Sequence, residues 1–178
     1  MITDVAEAPV RLRPFREDDL EVFVRSATEP EFSLPFEWPG YRSVPALRAR
    51  WEEDWFLGED PHYLAVAEGD GPAIGLVMWQ DPRFGGRAGA NWEIGILLAP
   101  EVRGRGIGTE AQRLLAEHLF ATTPVHRLSA WTEVDNLVEQ RSLEKCGFQR
   151  EGILRKGGYR GGAWRDVCLY GRLRDDLR

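Results

Sequence analysis

Several short stretches of the chain are apolar throughout or alternate apolar with polar residues, as β-strands do. These stretches predict strands at residues 10–13, 63–67, 73–79, 92–98 and 128–131. Glu68–Gly71 separates two of them and predicts a tight hairpin turn. Two more strands are expected towards the C-terminal end, around the glycine pairs at 157–158 and 161–162.

Other stretches repeat apolar residues every three or four positions, which is the spacing of one face of an α-helix. They predict helices that begin at the charged run 16–19, cover Leu47–Trp55, run from Ile107 to Leu119, and cover Leu137–Cys146. Residues 29–45, rich in Pro, Phe, Trp and Gly, are expected to form an irregular loop. Because helices and strands follow one another in mixed order, we expect an α/β (α+β) fold with a partly antiparallel sheet.

Length, composition and charge narrow the class of protein. The 178 residues, 43% of them apolar, suit one domain over 1–178, with 1–8 expected to be a frayed tail. A net charge of -6 argues against a nucleic-acid partner, because phosphate contacts need a basic surface. Cys146 and Cys168 form no cluster, so we expect neither a disulfide scaffold nor a bound metal. With no signal peptide and no apolar run of about 20 residues, we expect a cytoplasmic protein without a membrane partner, and a homodimer is compatible with the sequence.

A glycine-rich loop joins the predicted strand 92–98 to the predicted helix that begins at Ile107. Alternating glycines leave backbone N–H groups open to an anion, and the helix N-terminus adds a partial positive charge. Arg103 and Arg105 add full charges of the kind that pair with phosphate. The spacing R-x-x-G-x-G differs from the dinucleotide and P-loop patterns. The loop therefore predicts a pyrophosphate site, with a simple glycine-rich turn as the alternative.

Further motifs spread over nearly the whole chain. They are Val10–Phe15 with Glu17–Asp19, Trp92–Gly95, Asn136 with Leu143–Phe148, Glu151–Gly152, and Gly162–Asp166 with Tyr170. In these motifs and in the glycine loop, the chain resembles the GNAT superfamily of N-acetyltransferases, in its RimJ/RimL-like branch. The resemblance implies a GNAT fold, a mixed, strongly twisted sheet of about seven strands flanked by about four helices. It also implies acetyl-CoA as co-substrate and no metal.

The resemblance also implies where the cofactor binds. The sheet would be splayed between the strand holding Ile94–Leu98 and the strand holding Leu128–Trp131, so that the pantetheine arm bonds to an open strand edge. The residues implied to hold the cofactor are Ile96, Leu97, Leu98, Arg103, Gly104, Arg105, Gly106, Ile107, Gly108, Thr109 and Asn136. On local grounds Asn136 is also expected to be a helix N-cap, and both roles are compatible at different atoms.

Glu93 is the first candidate for a catalytic base. Transfer of an acetyl group to an amine needs a neutral amine, so a nearby carboxylate can take the proton directly or through water. A charged residue inside an apolar strand is unfavourable unless it faces a cleft or a partner, and Gly95 leaves room on the same side. The alternative is a surface glutamate or one paired with an arginine of the sheet.

Glu139 is the second catalytic candidate. It stands where the resembled branch often has a serine that is a proposed acid toward the coenzyme sulfur, and this difference puts the acid role in doubt. Glu139 could act as an acid only if burial raised its pKa. It could equally complement the helix dipole or bind the amine.

The acceptor is expected to meet the aromatic segment Phe32–Tyr41, with Phe36, Trp38 and Trp92 as contacts. Aromatic rings together with Glu37 suit a cation, although the rings could also close a satellite core. The sequence thus predicts an acetyl-CoA-dependent N-acetyltransferase acting on a primary amine, of a small molecule or of a protein N-terminus, by direct attack in a ternary complex. The alternatives are a non-catalytic CoA-binding sensor or scaffold, and an acyltransferase that uses another donor such as succinyl-CoA.

Overall fold

The computed structural model of the chain describes residues 9–36, 40–82 and 91–177, so the expected frayed tail 1–8 lies outside it. The strands in these ranges are β1 (Val10–Arg13), β2 (His62–Glu68), β3 (Ala73–Gln80), β4 (Asn91–Leu98), β5 (Arg127–Glu133), β6 (Gln149–Arg160) and β7 (Ala163–Leu173). The α-helices are α1 (Leu20–Thr28), α2 (Pro30–Ser33), α3 (Val44–Asp54), α4 (Ile107–Thr122) and α5 (Leu137–Lys145).

The described strands form one seven-stranded sheet in the order β1-β2-β3-β4-β5-β7-β6. Neighbouring strands are antiparallel except β4 and β5, which run parallel. The predicted mixed sheet is confirmed. The described part of the chain holds five α-helices rather than about four, because α2 forms inside the segment predicted to be an irregular loop. Pro30 suits the first position of this helix, and Phe32 anchors it in the core with no exposed surface.

The structure defines the boundaries of two predicted elements. The glycine pair at 157–158 lies inside β6, where the pairing register with β7 shifts between Leu154 and Gly158. The strand continues through the glycines because the ladder to β7 resumes beyond this irregularity. Helix α3 runs from Val44 to Asp54 rather than over the predicted Leu47–Trp55, because Ser43 caps its start and Trp55 already adopts a left-handed conformation.

The sheet is splayed between β4 and β5. The two strands pair only where Asn91–Glu93 meets Arg127–Ser129. Beyond these residues β4 continues to Leu98 and β5 to Glu133. We call the gap between Ile94–Leu98 and Ala130–Glu133 the wedge. The splay expected from the family resemblance is therefore present, at the expected strands.

The backbone of β4 presents alternate residues to the wedge. The N–H of Ala99 donates to the carbonyl of Ile74 at 2.9 Å, so the polar groups of Ala99 point towards β3. Because alternate residues of an antiparallel strand bond to the same neighbour, Leu97 also points towards β3, whereas Ile96 and Leu98 point into the wedge. An open strand edge of this kind accepts an extended ligand as an added strand.

The two faces of the sheet carry different helices. A Cβ built on Gly108 of α4 would lie 3.5 Å from the side chain of Leu98 and 3.7 Å from that of Ile96, so α4 covers this face of β4. On the other face, the ring of Phe23 in α1 packs 5.1 Å from that of Tyr63. Tyr63 is aligned with Met78, and Met78 with Gly95, which places Gly95 on the α1 side.

Candidate active site

The glycine loop opens α4 without a side-chain cap. Gly104 and Gly106 have φ values of +78° and +81°, which favour glycine, and no atom lies within 4 Å of a Cβ added to either. Gly106 is the N-cap of α4 and supplies no capping side chain. The first N–H groups of a helix have no intrahelical acceptor, and here they lie at the positive end of the helix dipole without a capping side chain. These features fit a phosphate group.

The guanidinium groups of the two loop arginines bond to protein acceptors. Arg105 pairs with Glu68 at 2.7 Å. Arg103 donates to the carbonyl of Leu98 from Nε at 3.1 Å and from Nη2 at 2.9 Å. It also donates to the carbonyl of Leu34 at 2.8 Å and to that of Phe32. The structure thus brings both arginines to the predicted loop, but the Arg103 side chain reaches towards α2.

The other predicted cofactor residues surround the wedge. Ile107 is buried at the start of α4, and the hydroxyl of Thr109 lies 3.0 Å from that of Ser142 in α5. The Oδ1 atom of Asn136 accepts the N–H of Glu139 at 3.3 Å, so the N-cap prediction is confirmed. The loop, the open edge of β4 and the start of α5 therefore lie together.

Glu93 is a buried carboxylate beside the mouth of the wedge, with 4% of its surface exposed. Side-chain alternation places it on the α1 face with Gly95. Its Oε1 accepts hydrogen bonds from Nε2 of Gln80 at 2.9 Å and from Nε1 of Trp131 at 3.1 Å. Trp131 lies on β5 just beyond the last residue paired with β4, so its indole spans the start of the wedge.

Glu139 lies between α4 and α5. Its Oε1 accepts from Nε2 of Gln112 at 2.6 Å, and burial raises its pKa above the ordinary value. One and two turns further along α5, Ser142 meets the Thr109 hydroxyl and the thiol of Cys146 donates to the Thr109 carbonyl at 3.1 Å. Glu139 thus belongs to a row of polar contacts that joins the two helices.

The predicted acceptor contacts are separated. Phe36 lies under the guanidinium of Arg160, with 5.3 Å between the guanidinium carbon and the ring centroid. Trp38 and Glu37 lie outside the described residues. Trp92 points to the opposite face of β4 from Glu93 and meets the ring of His62 edge-on at 5.7 Å. The structure therefore does not bring Trp92 next to Glu93.

An ion pair that sequence reasoning missed lies on the Glu93 face. Arg160, at the end of β6, donates from Nε to Oε1 of Glu133 at 2.6 Å and from Nη2 to Oε2 at 2.7 Å. Glu133 is buried and shares a face with Trp131 by alternation. Gln80 and Trp131 were missed as well. A polar residue at the end of an apolar strand was the one available signal for Glu133 and Gln80.

The described ranges contain neither a cluster of metal-ligating side chains nor a helix that could span a membrane. Residues 9–36, 40–82 and 91–177 contain no group of three or more His, Cys, Asp or Glu side chains that could hold a metal ion. None of the helices in those ranges is long and apolar enough to cross a membrane.

Several known proteins are similar to this chain in sequence. A family model described as "Acetyltransferase (GNAT) domain" matches residues 10–149. The probable N-acetyltransferase YjcK of Bacillus subtilis is 42% identical over 83 residues, which are 47% of this chain and 46% of YjcK. YdaF of the same organism, a putative ribosomal N-acetyltransferase, is 34% identical over 82 residues, which are 46% of this chain and 45% of YdaF. The chain thus spans about half the length of the curated relatives that it matches.

A solved structure supports the same fold. The spermidine N-acetyltransferase from Vibrio cholerae, in complex with CoA and spermine, superposes with a TM-score of 0.80 and 21% identity, over 95% of this chain and 98% of that one. The splayed sheet and the glycine loop define an acetyltransferase-type fold. The chain belongs to the GNAT acetyltransferase family.

Proposed function

We propose that the protein is an acetyl-CoA-dependent N-acetyltransferase that moves an acetyl group to a primary amine by direct attack in a ternary complex. One observation carries the proposal: the wedge is bordered by an open strand edge, by the uncapped N-terminus of α4 and by the buried carboxylate of Glu93. Membership of the GNAT family supports it.

The cofactor residues fall into two groups. Ile96 offers its N–H and carbonyl, and Leu98 its N–H, to a pantetheine arm lying in the wedge, because the Leu98 carbonyl already accepts from Arg103. Leu97 lies between them with its polar groups towards β3, and Asn136 lies at the other side of the wedge. The loop from Arg103 to Thr109 receives the diphosphate on backbone N–H groups at the helix N-terminus. Acetyl-CoA supplies a thioester-activated acetyl group. Where the loop lacks Cβ atoms, at Gly104 and Gly106, the phosphates approach the backbone.

Glu93 removes the proton from the acceptor amine, directly or through one water molecule. An ammonium has no lone pair and cannot attack a carbonyl, so the amine must lose its proton first. Gln80 and Trp131 hold the Glu93 carboxylate through Oε1. These donors come from the strands on either side of β4 and fix the carboxylate where the pairing of β4 with β5 ends. The expectation that Gly95 leaves room beside Glu93 is wrong, because the Met78 side chain fills that space, 3.1 Å from a Cβ added at Gly95.

We assign Glu139 mainly to the packing of α4 on α5. Its carboxyl group contacts Gln112, and the neighbouring contacts along α5 are also between the helices. The raised pKa of Glu139 meets the condition for an acid towards the departing thiolate. The variant Glu139→Gln distinguishes packing from acid catalysis.

We place the acceptor on the Glu93 face, between Phe36 and the β6–β7 hairpin. The buried carboxylate of Glu93 lies on this face and suits a cationic amine, whereas that of Glu133 is already paired with Arg160. One similar protein is named a putative ribosomal N-acetyltransferase and another a spermidine N-acetyltransferase. We therefore propose either a small-molecule amine or a protein N-terminus as the acceptor. A RimJ/RimL-like assignment rests on the sequence motifs.

The test is release of free thiol from acetyl-CoA in the presence of polyamines, aminoglycosides and N-terminal peptides. We expect release with at least one class, and a matching acetylated amine by mass spectrometry. Succinyl-CoA is tested in parallel and is expected to be a poorer donor. Tight CoA binding without thiol release from any donor would contradict the proposal and favour a CoA-binding sensor.

A further inference from the structure

The Arg103 side chain joins two segments that are far apart in the sequence. Its guanidinium donates to the carbonyls of Phe32 and Leu34, which lie 71 and 69 residues away, and to the carbonyl of Leu98. A planar guanidinium presents five N–H donors spread over three nitrogen atoms, whereas an ammonium has three donors on a single nitrogen. The contact is therefore specific to arginine at this position.

The three carbonyls lie on the two sides of the proposed reaction site. Leu98 is the last residue of β4, and its backbone groups point into the wedge. Phe32 and Leu34 lie at the C-terminal end of α2, where helix carbonyls lack intrahelical donors. Leu34 is followed closely by Phe36, which contacts Arg160 on the acceptor side.

A second arginine makes the same connection. Arg25 of α1 pairs with Glu101 at 2.6 Å, just before the glycine loop. The guanidinium carbon of Arg25 also lies 4.9 Å from the ring centroid of Phe32. Helix α2 is thus tied to the approach of the glycine loop through both a side chain and its carbonyls.

We propose that Arg103 is a positioning residue, whose side chain couples the acceptor segment 32–36 to the cofactor loop. This inference rests on the proposed function and differs from the role that the motif alone suggests. In a phosphate-binding role, the side chain would act on the cofactor diphosphate. In the positioning role, it acts on the acceptor site, and the phosphates are held by the backbone of the loop.

Steady-state kinetics with two donors separate the roles. The variant Arg103→Met is compared with Arg105→Met, using acetyl-CoA and acetyl-pantetheine, which lacks the diphosphate. We expect R103M to raise the acceptor KM by about fivefold with either donor, and to leave the KM for acetyl-CoA within about twofold. We expect R105M to leave the acceptor KM unchanged. A rise in the KM for acetyl-CoA alone in R103M, with none for acetyl-pantetheine, would overturn the inference.

The conservative variant Arg103→Lys gives a second criterion. Lysine keeps the positive charge, but all its donors are on one nitrogen. We therefore expect that it does not reach the Leu98 carbonyl and the carbonyls of α2 together. We expect R103K to resemble R103M in its acceptor KM. Full recovery of the wild-type acceptor KM in R103K would show that charge alone suffices, and would contradict positioning.

Hydrogen exchange and CoA binding give a readout that does not depend on turnover. We expect the amides of residues 31–34 to exchange faster in R103M than in wild type or R105M, with the calorimetric Kd for CoA within about twofold of wild type. Unchanged exchange in R103M would overturn the inference. If wild type showed no thiol release with any amine, the proposed function would fail, while these two measurements would still decide the role of Arg103.

Discussion

Two glutamate carboxyl groups lie near the wedge, one on each side of the sheet, and their surroundings differ. Glu93 sits on β4 and receives N–H donors from Gln80 on β3 and Trp131 on β5. Glu139 sits on α5 and receives one amide donor from Gln112 on α4. The first carboxylate is held by donors from the strands on either side of β4, whereas the second lies within a helix–helix contact.

The difference shows that a glutamate can take part in the reaction at one place and stabilise helix packing at another. Donors from two strands orient Glu93 at the place where the sheet opens, so a ligand in the wedge meets an already positioned carboxylate. At Glu139, burial raises the pKa of the carboxyl group, and its hydrogen bond to Gln112 joins α5 to α4. The comparison therefore predicts that Glu93 governs the rate and Glu139 mainly governs stability.

The largest effect is expected at Glu93. Replacing it with glutamine keeps the shape and the acceptor for Trp131 but removes the base, so kcat should fall by about 10²–10⁴-fold. The Kd for CoA should stay within about twofold, because the side chain is not in the proposed cofactor contacts. Thiol-release kinetics and calorimetry check both values. A wild-type kcat in E93Q would remove Glu93 from the mechanism.

The next effect is expected at Trp131. Replacing it with phenylalanine keeps a ring but removes the N–H that bonds to Glu93, and kcat should fall by about tenfold. Trp51→Phe is the matched control, because it removes an indole bond to the carbonyl of Phe15, away from the wedge. Equal losses of kcat in the two variants would mean that the Trp131 bond has no special part in the reaction.

A smaller effect is expected at Arg160. Replacing it with methionine releases the β6–β7 hairpin from Glu133 and Phe36, and the acceptor KM should rise by about fivefold while that for acetyl-CoA is unchanged. Arg127→Met, which breaks the Arg127–Glu151 pair of the same sheet, should leave the acceptor KM unchanged.

The double variant R160M/E133Q separates stability from acceptor binding. Loss of Arg160 alone leaves a buried charge without its ion-pair partner, which lowers the melting temperature. Adding Glu133→Gln should restore the melting temperature but not the acceptor KM. A recovery of both would indicate that the KM change came only from unfolding.

The smallest kinetic effect is expected at Glu139. In the packing role, E139Q should keep kcat within about twofold of wild type. Burial raises the pKa of Glu139, so above the ordinary carboxyl pKa the folded chain holds a proton that the unfolded chain releases. Wild-type stability should therefore fall as the pH rises from the ordinary to the raised pKa, and E139Q should lack this fall. Denaturant unfolding across this pH range checks it; loss of the alkaline limb of the pH–rate profile in E139Q would instead favour acid catalysis.

Elements whose burial follows from their own sequence were predicted well. Ile107, Ala111, Leu115 and Leu119 lie on one face of α4 and are all buried, as their helical spacing indicates. Helix α2 was missed because its anchor, Phe32, is held by contacts with Arg25 and Arg103 from elsewhere in the chain. Tertiary contacts decide such short elements, and local patterns do not contain them.

In the candidate site too, residues with a local sequence signal were predicted, and residues that depend on tertiary contacts were missed. The glycine loop and Glu93 were found because a loop spacing and a charge in an apolar strand are local signals. Gln80 and Trp131, 13 and 38 residues from Glu93, meet it only through strand register. The Arg160–Glu133 pair and the contacts of Arg103 likewise depend on the folded sheet. The sequence contains no local signal that tells which of these residues contact one another.

A crystal structure with CoA and an unreactive amine analogue tests the central claim most directly. The account predicts that the pantetheine arm bonds to the backbone of Ile96 and Leu98 in the wedge, and that the amine analogue lies within hydrogen-bond reach of Glu93, directly or through one water molecule. CoA bound away from the wedge, or an amine on the Trp92 face of β4, would contradict it.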